Sequence, residues 1–265
     1  GCLMRDVPIL VISCDAYSDV WRPFFEVFFA RWPDCPFPVC LGANDRTYDD
    51  DRVRTIVIGD DVSWGDNVLK MIDGLGGAEW LIMFLEDFLL TRPVSTEEVT
   101  GYVELAQQEE LGCLRLAPRD YPARPIEGRA NLGVLGRRVD YRVSTQVAIW
   151  RVDTLRALLQ PGYTPWDFEW IGSLESGRRP ERFWSVMTPV VDYIQCVQRG
   201  KWRPEGFRIC GELGVEIDTD ARPAMDDREI AEFEQLLARR RWKSRIPGPV
   251  RYLIRRAKYR KAGRR

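Results

Sequence analysis

Short, unbroken apolar runs alternate along the chain with longer segments whose apolar residues return every three to four positions. Pro8-Ile9-Leu10-Val11-Ile12-Ser13 opens the series, and Trp80-Leu81-Ile82-Met83-Phe84-Leu85 is a fuller example. Runs this short and this uniformly apolar predict strands covered on both faces. Phe37 to Leu41 and Arg54 to Ile58 predict two more strands, separated by the polar turn cluster Asn44 to Asp51; Cys113 to Leu116 and Thr145 to Trp150 predict a further two. Between them lie helical segments. Trp21 to Trp32 is rich in aromatics and has helical length, and Thr96 to Glu110, Val152 to Leu159 and Asp226 to Arg241 follow the same logic. Ser63 can cap a helix in which Asp66, three residues on, approximates a capping box, and Val68, Leu69, Ile72 and Leu75 share one face. Thr164 starts another. Strands alternating with helices predict a layered α/β sheet.

One stretch breaks the alternation. Residues 118–142 hold Gly, Pro and six Arg with little apolar periodicity, and an irregular loop of this length in a compact domain is more often functional or mobile than idle.

Composition narrows the chemistry. The 265 residues, 45% of them hydrophobic, suit one sizeable core, and no apolar stretch approaches the roughly 18 residues of a membrane span. The chain contains 0 His, which excludes Ser-His-Asp and Cys-His triads and every imidazole-bound zinc. Seven Cys, with no Cys-x-x-Cys pair and no secretory signal, are expected to be reduced thiols in the cytoplasm, and no role is assigned to the opening Gly1-Cys2-Leu3-Met4.

Two acidic clusters remain as candidates. Glu86-Asp87 stands between Leu85 and Phe88-Leu89-Leu90. Ionised carboxylates are not buried without partners, so the pair is expected either where its strand emerges into a polar crevice or in a salt bridge to an Arg beneath the sheet. In the second cluster, Asp167 has a structural explanation as the third residue after the Thr164 cap, and carboxylates in a first turn also suit the helix dipole. Glu169 has no such explanation in the sequence.

Pro8 to Asp19, Trp64-Gly65-Asp66, Phe84-Leu85-Glu86-Asp87-Phe88-Leu89, Ser144 to Trp150 and Pro165-Trp166-Asp167-Phe168-Glu169 together resemble a family of GT-A-type glycosyltransferases from bacterial surface-polysaccharide clusters. The similarity spans roughly residues 7 to 202. It implies a Rossmann-like, single-domain α/β/α sandwich with a mixed central sheet. It also implies transfer of a sugar from a nucleotide-sugar, UDP-linked at the family level, to a hydroxyl of a growing surface glycan. By the same resemblance Asp15, Tyr17 and Asp66 belong to the donor site, Glu86 and Asp87 face the diphosphate through Mn²⁺ or Mg²⁺, and Gln146 lies near the transferred sugar. Glu169, with Asp167 as runner-up, takes the place of the base that deprotonates the acceptor. Trp150 and Trp166 are candidates for stacking on a sugar. The chain departs from the common Asp-x-Asp motif by placing Phe88 at the second carboxylate. One or two carboxylates still suffice for a hard cation held by pyrophosphate. The alternative is a basic group, for which Lys201 in Arg199-Gly200-Lys201-Trp202 is the candidate.

The remaining charge is segregated. From Arg239 onward there are 13 basic residues and no acidic ones, which leaves 26 basic against 40 acidic before it, a net charge of −14. The division expected is a catalytic domain over residues 1–205, a helical extension over 206–241 and a basic tail over 242–265. In the tail Val250, Leu253, Ile254 and Ala257 share a helical face ringed by Arg and Lys, which suits an anionic membrane surface or the domain's own acidic surface. An acidic body argues against a nucleic-acid partner. The partners expected are a nucleotide-sugar and a glycan or lipid-linked glycan. The rival reading is a non-catalytic nucleotide- or glycan-binding module of the same fold.

Overall fold

The uniformly apolar runs lie at the middle of the sheet. In the computed structural model, which describes residues 6–119, 123–244, 246 and 248–261, β1 (Ile9–Ile12) pairs in parallel with β2 (Val39–Ala43), and β2 pairs in parallel with β3 (Val53–Val57). On its other side β1 pairs in parallel with β4 (Trp80–Leu85), Ile12 standing opposite Leu85. After Glu86-Asp87 the chain leaves this sheet as β5 (Phe88–Leu90). The remaining strands are β6 (Cys113–Arg115), β7 (Arg124–Pro125), β8 (Leu132–Val134), β9 (Ala148–Arg151), β10 (Phe183–Val186), β11 (Tyr193–Gln195), β12 (Val197–Gln198) and β13 (Lys201–Trp202). The large sheet has nine strands in the order β3-β2-β1-β4-β9-β6-β10-β8-β7. β9 runs antiparallel to both of its neighbours, β4 and β6. The mixed sheet expected from the sequence is therefore present, and β5 with β11, and β12 with β13, form two small antiparallel pairs beside it.

The helices are α1 (Ser18–Arg31), α2 (Trp64–Asp73), α3 (Thr96–Gln108), α4 (Val152–Leu158), α5 (Pro165–Ser176), α6 (Pro204–Glu212), α7 (Asp227–Ser244) and α8 (Gly248–Lys261). Side-chain alternation along the central strands divides the core in two. Ile9, Val11, Ile82 and Phe84 face Trp21, Phe24 and Phe28 of α1, Val99 and Val103 of α3 and Ile209 of α6. Leu10, Ile12, Leu81 and Met83 face Val68, Met71 and Ile72 of α2, Leu155 of α4 and Phe168 of α5. Each fully buried aromatic or aliphatic side chain contributes roughly 1.5–3 kcal/mol. The core thus takes in α6, beyond residue 205.

Two expectations need correction. The strand foreseen from Thr145 begins at Ala148, because the Thr145 N–H donates to Glu169 (3.0 Å) and the Val147 N–H to the Tyr193 hydroxyl (3.2 Å), so neither joins the ladder. The stretch 118–142 is not wholly irregular: it supplies β7 and β8, and β8 pairs with β10. The six described cysteines are free thiols. Cys2 and the last basic residues of the tail lie outside the described residues.

Candidate functional site

From β1 the chain passes outward to β2 and β3 and then returns across the sheet to β4, so the connections reverse direction between β1 and β4. At such a switch point the loops leaving the carboxyl ends of the two strands part and open a crevice. Cys14 to Tyr17 leave β1 there, and Glu86-Asp87 leave β4 beside them. Asp87 is 6% exposed and Glu86 is half-buried. Burial and the adjacent Asp87 hold the Glu86 carboxyl well above the usual carboxylate range. Burial pushes Asp87 up to about 6, against a hydrogen bond to its side chain from Gln195 and the fields of Arg203 and Arg222. Burial, and next Glu86, push the Cys14 thiol up to about 11, so it stays protonated at neutral pH.

A cation that the sequence did not single out acts on this pair through its field. Arg222 is 7% exposed and grips the β1 loop: Nε and Nη2 donate to the Asp19 carboxylate at 2.8 and 2.9 Å, and Nη2 also donates to the Ala16 carbonyl at 2.8 Å. Its guanidinium lies 4.3 Å from the centre of the Tyr17 ring. Tyr17 feels both Arg222 and the acidic pair, and burial followed by Glu86 raises its phenol above the ordinary value. Asp15 is occupied otherwise, its carboxylate accepting from the backbone N–H groups of Asn44, Asp45 and Arg46 at 3.0–3.1 Å.

Asp66 acts as a clasp. Ser63 caps α2 by accepting from the Asp66 N–H at 3.1 Å, and the Asp66 carboxylate accepts from the Ser63 hydroxyl at 2.5 Å and from the Gly162 N–H at 2.9 Å. These bonds lower the Asp66 pKa. They also tie α2 to the loop before α5. Gly65 permits the close approach, since a Cβ there would lie 2.3 Å from the Gln160 carbonyl oxygen.

α5 presents the second acidic cluster. Asp167 completes a reciprocal capping box with Thr164, as the spacing predicts. Glu169 is 6% exposed, and its Oε1 accepts from Arg119 Nη1 (2.6 Å), the Thr145 N–H (3.0 Å) and the Thr145 hydroxyl (3.2 Å). Glu169 therefore has structural partners after all, supplied by residues 50 and 24 positions away in sequence.

Segment 144–147 connects the two clusters. Gln146 accepts from the Tyr193 hydroxyl at 2.6 Å, and the Tyr193 ring stacks on Phe88 with centroids 4.3 Å apart. Phe88 is 3% exposed, so the position of the missing second carboxylate belongs to the core. Trp166 is 64% exposed and accessible. Trp150 is 0% exposed, packed edge-on against Phe183, and this enclosure removes it from the candidates for stacking on a sugar. Lys201 follows the tight Arg199-Gly200 turn, where φ is 51° and 75°, and pairs with Glu229 of α7 at 2.6 Å. Among the described residues no group of three or more Cys, Asp or Glu is placed to hold a metal ion.

No protein-family model and no curated protein matches the sequence. Among solved structures, S. aureus TarS 1-349 is similar with a TM-score of 0.49 and 13% identity, over 88% of this chain and 69% of that one. The same TarS segment in complex with UDP-GlcNAc gives a TM-score of 0.44 and 13% identity, over 88% of this chain and 71% of that one. LgtC in complex with donor and acceptor sugar analogs gives 0.40 and 10%, over 84% of this chain and 85% of that one.

Proposed function

We propose that the protein is a glycosyltransferase of GT-A type, moving a sugar from a UDP-linked donor to a hydroxyl of a growing bacterial surface glycan. The observation that carries this reading is the Glu86–Asp87 pair at the switch point of the sheet, Asp87 buried and Glu86 half-buried, with both carboxyls pushed up. Two carboxylates crowded in this way are short of positive charge, and a nucleoside diphosphate bringing Mn²⁺ or Mg²⁺ supplies it. Glu86 and Asp87 would hold the ion, which suits a hard cation that takes one or two carboxylates and completes its shell with phosphate oxygens. When bound, the ion neutralises charge on the departing diphosphate. Tyr17, beside Arg222, borders the nucleotide end, and Gln146, oriented by Tyr193, borders the sugar.

Glu169 serves as the base in this reading. Among the described residues the three hydrogen bonds to its carboxylate fall on Oε1, which fixes the carboxylate and leaves Oε2 to accept the proton of the acceptor hydroxyl as that oxygen attacks the anomeric carbon. The acceptor is a glycan or lipid-linked glycan, and the protein works on the cytoplasmic side of the membrane. No helix among the described residues is long and apolar enough to cross a membrane. Attachment is assigned to the basic α8.

The test is calorimetric titration of the whole chain with UDP, GDP, CDP and their sugar conjugates, with and without Mn²⁺, followed by donor turnover. Binding of one nucleotide series, strengthened by Mn²⁺ and accompanied by release of the nucleoside diphosphate, is expected. Absence of binding by every nucleotide would overturn the reading. Phe88 in place of a second carboxylate favours a non-catalytic module, and binding without any turnover would establish that alternative.

A further inference from the structure

Two of the buried arginines show how the fold satisfies such a group. Arg142, 2% exposed, donates to the carbonyls of Leu135, Ser176 and Glu181 at 3.2, 2.7 and 3.0 Å and lies over the Phe183 ring. Arg222 is held by the Asp19 carboxylate and two carbonyls. Arg115, the last residue of β6, is equally buried at 2%, yet its Nε has no hydrogen-bond partner and no carboxylate pairs with it among the described residues. The nearby carboxylate, Glu169, is already committed to Arg119 at 2.6 Å.

A buried guanidinium left without an anion is costly, and it is retained where something bound completes it. Burial lowers the Arg115 pKa to about 10, so the side chain remains charged at neutral pH. Its field reaches Arg119, Glu169 and Tyr193. Arg115 and Arg119 thus both act on the Glu169 end, whereas the Glu86–Asp87 end carries the acidic pair. An anionic group on a substrate is drawn to the first end and repelled from the second unless a cation accompanies it.

We propose that Arg115, with Arg119 beside it, is the subsite for an anionic substituent of the acceptor, a carboxylate or a phosphate, held close to the hydroxyl that Glu169 deprotonates. The planar fork of Arg matches both groups. The assignment rests on the glycosyltransferase reading for the word acceptor, but the anion subsite is testable without it.

The experiment is NMR titration of the whole chain, saturated with UDP, against methyl glucuronide and methyl glucoside as one charged and neutral pair, and glycerol 3-phosphate and glycerol as the other. Wild type should bind at least one charged probe 10-fold or more tightly than its neutral partner, and the pair showing the difference identifies carboxylate or phosphate. Arg115→Met should abolish the preference, Arg115→Lys should restore part of it, and UDP affinity should stay unchanged in both. Equal binding of charged and neutral probes to wild type, or a preference that survives in Arg115→Met, would overturn the subsite. Should Arg115→Met not fold, the wild-type comparison and Arg115→Lys still decide. Failure of wild type to bind UDP counts against the UDP-linked donor alone, since the charged-against-neutral comparison does not depend on it.

Discussion

Asp87 is the residue whose chemistry can be read most directly by titration. Its carboxyl sits at about 6 in the fold against about 4 in an unfolded chain. The folded state therefore holds the proton more tightly, so stability falls as pH rises from about 4 to about 6 and the deficit is complete above that. Asp87→Asn removes the charge but keeps an acceptor for Gln195. It should stabilise the unliganded protein near pH 7 by on the order of 2–3 kcal/mol, with no gain below pH 4, while weakening nucleoside diphosphate binding at least 10-fold. Thermal melts across pH with calorimetry check both, and a variant that melts with wild type at pH 7 and binds as tightly takes Asp87 out of the site. The two carboxylates of α5 separate in a similar way. Asp167→Asn disturbs a reciprocal capping box and should cost about 1 kcal/mol while transfer persists. Glu169→Gln keeps the Thr145 bonds but deprives Arg119 of its anion, so it should lose about 1–3 kcal/mol and, assayed well below its melting temperature, a factor of about 10²–10⁴ in turnover. Transfer at the wild-type rate in Glu169→Gln would return the base role to Asp167 or to a mechanism needing no base.

At the scale of elements, what the sequence displayed was whatever its neighbours in the chain determine. β1 and β4 were legible because burial on both faces leaves an unbroken apolar run, and α2 and α5 because a cap and its partner lie three residues apart. β10 was not, since Phe183–Val186 is four residues long and includes Ser185, and its pairing with β6 and β8 comes from distant segments. The same division runs through the candidate site. Glu86-Asp87 announced itself by standing inside apolar sequence, whereas Arg222 reaches Asp19 from 203 positions away and Arg119 reaches Glu169 from 50, distances at which no local pattern exists. Trp150 offers no local signal either: nothing near it in sequence tells that Phe168 and Phe183 enclose it. The clasp between α2 and the loop before α5 offers a test at this scale. A methyl group at Gly65 would meet the Gln160 carbonyl oxygen at 2.3 Å and Tyr163 Cβ at 3.0 Å. Gly65→Ala should therefore cost about 1–3 kcal/mol and lower the melting temperature by several degrees, with the Asp66–Gly162 bond lost from hydrogen exchange protection at Gly162. An unchanged melting temperature would mean that the two elements do not need this approach.

Over the whole molecule, the segregation of charge finds a structural use. The acidic body and the basic tail meet where α8 docks: Arg255 Nη1 lies 3.0 Å from Asp140 Oδ1, and its guanidinium stands 4.0 Å from the Tyr141 ring centre and 5.2 Å from that of Trp170. On the Tyr141 ring the Arg119 guanidinium also rests, at 3.8 Å, so the helix and the partner of Glu169 share one aromatic support. Docking through arginine turns the apolar residues away from the body. Val250, Leu253 and Ile254 are 45%, 59% and 45% exposed, which reverses the ordinary arrangement of a helix packed on its own domain and fits a helix that lays its apolar side on a lipid surface. Each Lys or Arg near an anionic bilayer adds about 1 kcal/mol, and the 13 basic residues from Arg239 onward would be enough for reversible attachment. The whole chain should therefore sediment with phosphatidylserine vesicles at low salt and be released as salt screens the charge. Deleting residues 247–265 should abolish sedimentation and spare UDP binding. The pair Leu253→Glu with Ile254→Glu, both exposed, should do the same without lowering the melting temperature. If the full chain stays in the supernatant at low salt, the apolar stripe of α8 has some other counterpart and the membrane assignment falls.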